Sequence, residues 1–130
     1  MQGVGGGLGL GFVGQTSVID RTTIAGNRAL GNPGPTGGTA RGGGLYSDHR
    51  LTITNSTFAN NSAIAGASTA AGNPGAHASS GGIYNSGQLA LVSDTVTGNV
   101  ATAGTAGAGG TLTPSEGGGL YTTASNDVDS

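Results

Sequence analysis

The chain contains no cysteine and no lysine, and only five of its 130 residues are aromatic. Without cysteine there are no disulfide staples and no thiolate metal sites, although the compartment is left open. Four arginines against six acids give a formal net charge of −2. That balance supplies no basic footprint for nucleic acid or for an anionic membrane surface. No apolar run reaches the length of a membrane-spanning helix, so membrane insertion by this segment is not expected. Residues Met1 to Gly7 lack the basic and apolar regions of a secretory signal, so a signal, if one is used, lies outside this chain. Only 34% of the residues are hydrophobic, whereas glycine fills 29 positions. Each ordered glycine loses more backbone entropy than any other residue, so the fold must gather many hydrogen bonds and stack its few apolar groups efficiently. A conventional two-layer globule is hard to build from this composition, and stacked short strands meet the need.

The glycines are not scattered. Gly43-Gly44-Leu45-Tyr46 recurs as Gly81-Gly82-Ile83-Tyr84 and as Gly118-Gly119-Leu120-Tyr121, with a degenerate first copy at Gly6-Gly7-Leu8-Gly9. The apolar residues at 8, 45, 83 and 120 are spaced by 37, 38 and 37 residues. A fixed period of this size marks a repeat array. The repeats run approximately over 5–41, 42–80 and 81–116, with a partial copy at 117–130, in one domain.

A second block follows each glycine block. Leu51-Thr52-Ile53-Thr54-Asn55-Ser56-Thr57-Phe58-Ala59-Asn60-Asn61 aligns with the segment from Leu89 to Asn99 and with that from Ser17 to Asn27. Leu51 and Ile53 alternate with threonines, the period-2 pattern of a half-buried strand, while the glycines and β-branched residues disfavour helix. The parity of the alternation changes between Ile53 and Phe58, which predicts a bend at Asn55-Ser56. One repeat thus reads as strand, turn, strand, bend, strand. After Ala29, Ala63 and Ala101 come Gly, Ala, Ser, Thr and Pro-rich insertions of roughly 12 to 17 residues, expected as turn-forming loops on one edge. The matching phases predict one continuous core of Leu45, Leu51, Ile53, Phe58, Ile83, Leu89, Leu91 and Val96, extended by Ile19 and Ile24.

With these blocks the chain resembles the right-handed parallel β-helix repeats of the polymorphic outer membrane protein type, found in bacterial autotransporter passengers and related surface proteins. The hallmarks of that family are a GGA[ILV]-like motif and FxxN. The first corresponds here to Gly43 to Tyr46 and its copies, with Leu or Ile directly after the glycines and no alanine. The second corresponds to Phe58-Ala59-Asn60-Asn61, relaxed to Ile24-Ala25-Gly26-Asn27 and Val96-Thr97-Gly98-Asn99. The resemblance covers nearly the whole chain except the insertions. It implies an all-β, right-handed parallel β-helix of about three coils, on a bacterial cell surface or outside the cell, with no shared active site.

Stacked coils would place Asn27, Asn61 and Asn99 above one another, where each amide can donate to and accept from the next in a structural ladder. Tyr46, Tyr84 and Tyr121 each follow an inward Leu or Ile, so alternation turns their rings outward as a stripe. Such a stripe either stabilises its own face or binds a surface glycan or another protein. The glycine pairs permit tight corners and close stacking and lack the lysine and helix of a phosphate-binding loop. Thr52 and Thr54 form a single TxT pair, not the flat array of an ice-binding solenoid. Among the acids, Asp20, Asp48 and Asp94 fall at different repeat phases. Only Asp48-His49-Arg50 brings varied titratable groups together, and it is expected as a solvated turn, as Asn85 is. Asn126-Asp127-Val128-Asp129 is too short for a calcium loop. No catalytic, cofactor or metal site is assigned.

The functional expectation is a non-catalytic extracellular or cell-surface structural protein. It would be either an adhesin-like passenger segment or a subunit that self-associates head-to-tail through open solenoid ends, because no terminal unit resembles a polar cap. The alternative is a carbohydrate-binding or polysaccharide-processing β-helix module.

Overall fold

The computed structural model describes residues 1–11 and 14–124 together with the backbone of a last strand at 127–129. The side chains of the Asn126 to Asp129 segment, weighed above as a metal loop, lie outside the described residues. Every described strand is short, and all pairing is parallel. The first coil runs through β1 (Gly3–Val4), β2 (Leu8–Leu10), β3 (Thr16–Asp20), β4 (Thr23–Ala25) and β5 (Arg28–Leu30). The second comprises β6 (Ala40–Arg41), β7 (Leu45–Ser47), β8 (Arg50–Thr54), β9 (Thr57–Ala59) and β10 (Ser62–Ile64). The third comprises β11 (Ala78–Ser79), β12 (Ile83–Asn85), β13 (Leu89–Val92), β14 (Thr95–Thr97) and β15 (Val100–Thr102), and a further turn contributes β16 (Leu120–Thr122) and β17 (Asp127–Asp129). Like elements stack into five sheets, β1-β6-β11, β16-β12-β7-β2, β17-β13-β8-β3, β14-β9-β4 and β15-β10-β5. The molecule is a parallel β-solenoid of about three turns.

The register follows the sequence repeat. Leu51 stands opposite Leu89, Ile53 opposite Leu91, and Phe58 opposite Val96. Leu45, Leu51, Ile53, Phe58, Ile83, Leu89, Leu91 and Ile19 form one buried cluster, with Ile24 and Val96 partly buried against it. Those two occupy the edge strands of their sheet, β4 and β14, and so are covered from one axial side. The expected bend is present: Asn55 has φ 50°, and Arg21 and Ser93, one coil to either side, have φ 47° and 57°. A second left-handed corner follows at Gly26, Asn60 and Gly98. Asparagine is among the few residues with a side chain that enter this region readily, because its amide bonds the local backbone.

Each coil has five strands where the sequence suggested three. The additional sheets are those of β6 and β10, whose inward residues are alanines. Ala29, Ala40, Ala63, Ala65, Ala76 and Ala78 form a second buried cluster. Alanine carries little strand preference, so these strands arise from stacking and not from local propensity. The insertions are not open loops either. They stack on one another, with Gly34 N–H donating to Ala67 O at 3.1 Å, Ser68 N–H to Thr105 O at 2.9 Å, and Gly72 N–H to Ala108 O at 2.8 Å. A Cβ added at Gly104 would collide with the Gly66 carbonyl of the coil before it. Glycine is required there by close backbone approach.

Candidate functional site

Three side-chain constellations are repeated or concentrated on this scaffold. The first is the asparagine column. Asn27 Nδ2 donates to Asn61 Oδ1 at 3.1 Å, and Asn61 Nδ2 donates to Asn99 Oδ1 at 3.0 Å. The same oxygens accept the backbone N–H of Asn27 at 3.0 Å and of Asn61 at 2.9 Å. The remaining amide protons reach back one coil, from Asn61 to Ile24 O at 2.9 Å and from Asn99 to Phe58 O at 2.8 Å. Asn61 is buried. Both of its amide protons and its carbonyl oxygen are satisfied by groups of the coils on either side, which makes it a rivet joining three coils. The glycine pairs serve this column. A Cβ on Gly44 would lie 2.9 Å from Asn61 Nδ2, and one on Gly7 would lie 2.7 Å from Asn27 Nδ2. The second glycine of the first three pairs, Gly7, Gly44 and Gly82, thus makes room for an amide that is sequence-distant but spatially adjacent.

A parallel polar column, missed in the sequence, runs along the preceding corner. Ser56 Oγ accepts Thr22 N–H at 3.1 Å, and Asp94 Oδ1 accepts Ser56 N–H at 2.7 Å. Asp94 Oδ2 also accepts Val92 N–H at 3.1 Å. The signal was available: Thr22, Ser56 and Asp94 share one phase and all offer a short oxygen acceptor. Two residues before that phase, Asp20 Oδ1 accepts Thr54 Oγ1–H at 2.7 Å and Asn55 Nδ2–H at 3.4 Å. These bonds, with the Arg21 guanidinium 2.8 Å from its other oxygen, hold the Asp20 carboxyl below its ordinary value.

The second constellation is the tyrosine column. Tyr46 and Tyr84 stack with ring centroids 5.3 Å apart and planes 4° apart, and Tyr84 and Tyr121 are separated by 5.3 Å and 13°. The three lie in register on β7, β12 and β16. The middle ring is only 8% exposed, so its faces are spent on its neighbours, and the Arg41 guanidinium carbon reaches within 5.6 Å of its centroid. Burial raises the Tyr46 hydroxyl above its ordinary value, aided by Asp48. The nearby Glu116 charge does the same for Tyr121.

The third is the corner between β7 and β8, where two expectations are corrected. His49 is not in a solvated turn; it is 5% exposed, and its Nε2 lies 2.9 Å from Ser17 Oγ of the coil before. Asn85 is not on a surface turn but completely buried, donating to Gly87 O at 2.8 Å. The reason is parity: alternation passes through the corner unbroken, so 45, 47, 49, 51 and 53 all face inward. Asp48 faces the other way, with Oδ1 3.7 Å from His49 Nδ1 and neither atom hydrogen-bonded. Arg50 is exposed and does not join them. Beside the tyrosines, His77 bridges Ser79 Oγ at 2.9 Å and Glu116 Oε2 at 3.4 Å.

No protein-family model, curated protein or solved structure matches this chain.

Proposed function

We propose that the chain is a non-catalytic structural module of an extracellular or cell-surface protein, built on right-handed coils of the polymorphic outer membrane protein type. In this reading it is either an adhesin-like passenger segment or a subunit that adds to its own kind along the solenoid axis. The observation that carries the reading is the investment of buried polar groups in axial stacking. The interior holds apolar rungs and the asparagine column, and the polar corners bond coil to coil. Coil faces of this kind present rows of strand donors and acceptors with a layer of apolar core. They are continued by another coil, whether from a longer chain or from a second copy.

Electron microscopy of the purified chain over a concentration series separates these forms. A head-to-tail contact is heterologous and does not close, so self-addition yields filaments with the strand spacing along the axis. A proline-containing, charged segment fused to the C-terminus should abolish the filaments while preserving the β-sheet circular dichroism. A chain that remains monomeric and well ordered at high concentration removes self-addition and leaves the passenger segment. Hydrolysis of a polysaccharide by the purified chain would contradict the non-catalytic reading.

A further inference from the structure

The corner between β7 and β8 holds a buried pair of atoms that no protein group satisfies. Asp48 Oδ1 and His49 Nδ1 are both sealed from solvent and both lack a hydrogen-bond partner, two of the four such side-chain atoms among the described residues. They face each other at 3.7 Å. Buried polar atoms are nearly always paired, so this juxtaposition asks for a partner that the chain does not itself provide.

The other ring nitrogen narrows what that partner is. Ser17 Oγ, on β3 of the coil before, lies 2.9 Å from His49 Nε2. With the ring proton on Nε2 and donated to Ser17, the bare Nδ1 faces a carboxylate oxygen, acceptor against acceptor. With a proton on Nδ1, the 3.7 Å gap is still beyond the reach of an N–H···O bond. A proton therefore leaves the pair unsatisfied in either tautomer. A metal ion closes the gap, because two ligands about 2.0–2.1 Å from a tetrahedral zinc ion stand about 3.3 Å apart, close to the separation already present. The corner is also held from both axial sides: the Asp48 N–H donates to Leu10 O at 3.3 Å, and Gly87 of the next coil packs so closely that a Cβ there would collide with the His49 backbone. The Asp48 side chain is 27% exposed, which gives an ion a way in.

We propose that Asp48 Oδ1 and His49 Nδ1 chelate a divalent transition-metal ion of the zinc class, with Ser17 as the positioning residue that holds the ring. A hydroxyl that accepts the Nε2 proton fixes the tautomer and leaves Nδ1 bare and aimed at the ion. Imidazole with carboxylate suits zinc, nickel and copper, whereas calcium and magnesium take oxygen ligands. Among the described residues no three His, Asp or Glu side chains gather, so the protein supplies two charged or ring ligands and water fills the other positions. The site goes beyond the scaffold reading and operates in a single chain, so its failure leaves that reading untouched.

The test is a titration of the whole untagged chain with zinc chloride at about pH 7.5, where free histidine is mostly neutral, with calcium chloride as the comparison ion. Calorimetry and the ring-nitrogen NMR shifts of both histidines follow it. One zinc ion should bind per chain and move the His49 Nδ1 signal, and calcium should not. Ser17→Ala should weaken binding by about tenfold or more, the scale of a lost partner to a ligating ring, and Ser17→Thr, which keeps the hydroxyl, should restore it. Asp48→Asn and His49→Gln should weaken binding by at least as much. His77→Gln, which removes the other histidine from beside Glu116, should leave it unchanged. Zinc should also raise the urea midpoint of the parent and not that of Asp48→Asn. Should His49→Gln fail to fold, Asp48→Asn decides, because it keeps the size of a partly exposed side chain. Absence of zinc binding, equal binding of calcium, undiminished binding by Asp48→Asn, or a zinc response that belongs to His77 overturns the proposal.

Discussion

At the scale of single residues, Asn61 does more than any other side chain to join coils. It accepts the Asn27 backbone and side-chain N–H groups and donates to Asn99 and Ile24. Asn61→Ala leaves the partly buried donors of Asn27 without their acceptor, a loss of about 1 to 3 kcal/mol, because an unsatisfied group that water reaches poorly retains much of its desolvation cost. Thr97→Ala, at an exposed position of β14, should fall within about 0.5 kcal/mol of the parent. Urea denaturation of the two variants measures the difference, and equal midpoints would remove the column from the stability argument. Asn85 is unsuited as a surface control, since it is buried in the same interior.

At the scale of elements, the columns explain why some of the molecule was legible in the sequence and some was not. The strands around Leu51, Ile53 and Phe58 were readable because large apolar residues alternate with threonines, and the asparagine column because one residue type recurs at one phase. The strands at Ala40 and Ala63 were not, because alanine packs well in a narrow corner yet signals neither strand nor burial. His49 and Asn85 were misplaced because a polar residue beside a turn suggests solvent, whereas unbroken alternation carries it inside. The coupling of Gly44 to Asn61 was invisible locally, since it joins residues separated by a full passage across the coil. The tyrosine column makes its own prediction. Its Tyr46 and Tyr121 hydroxyls have folded pKa values raised above the ordinary 10.0, by burial for Tyr46 and by the Glu116 charge for Tyr121. The folded state then holds protons that the unfolded state releases, so this contribution is complete below about pH 10 and is lost as pH rises through the folded values. Urea midpoints should hold up to about pH 10 and drop as pH is raised further, and the paired variant Tyr46→Phe with Tyr121→Phe should drop less. A flat profile, or an equal drop in the variant, would show that the hydroxyls are not linked to folding.

At the scale of the whole molecule, stability is distributed along an axis. Each coil contacts chiefly its neighbours, so few charges and 34% hydrophobic residues suffice once the same apolar rung repeats in register. The central claim is that register, and the absence of native cysteine makes it directly measurable. Thr52 and Ala90 stand opposite each other on β8 and β13, on the outer face of adjacent coils. Neighbouring strands lie about 4.8 Å apart, within disulfide reach, whereas a two-residue offset moves the pair to about 8 Å, beyond it. The measurement is intramolecular disulfide formation under mild oxidation at low protein concentration, scored by peptide mapping. Thr52→Cys with Ala90→Cys should cross-link rapidly in the folded monomer, and Thr54→Cys with Ala90→Cys should not; linkage of the second pair in preference to the first would contradict the stacked 38-residue register.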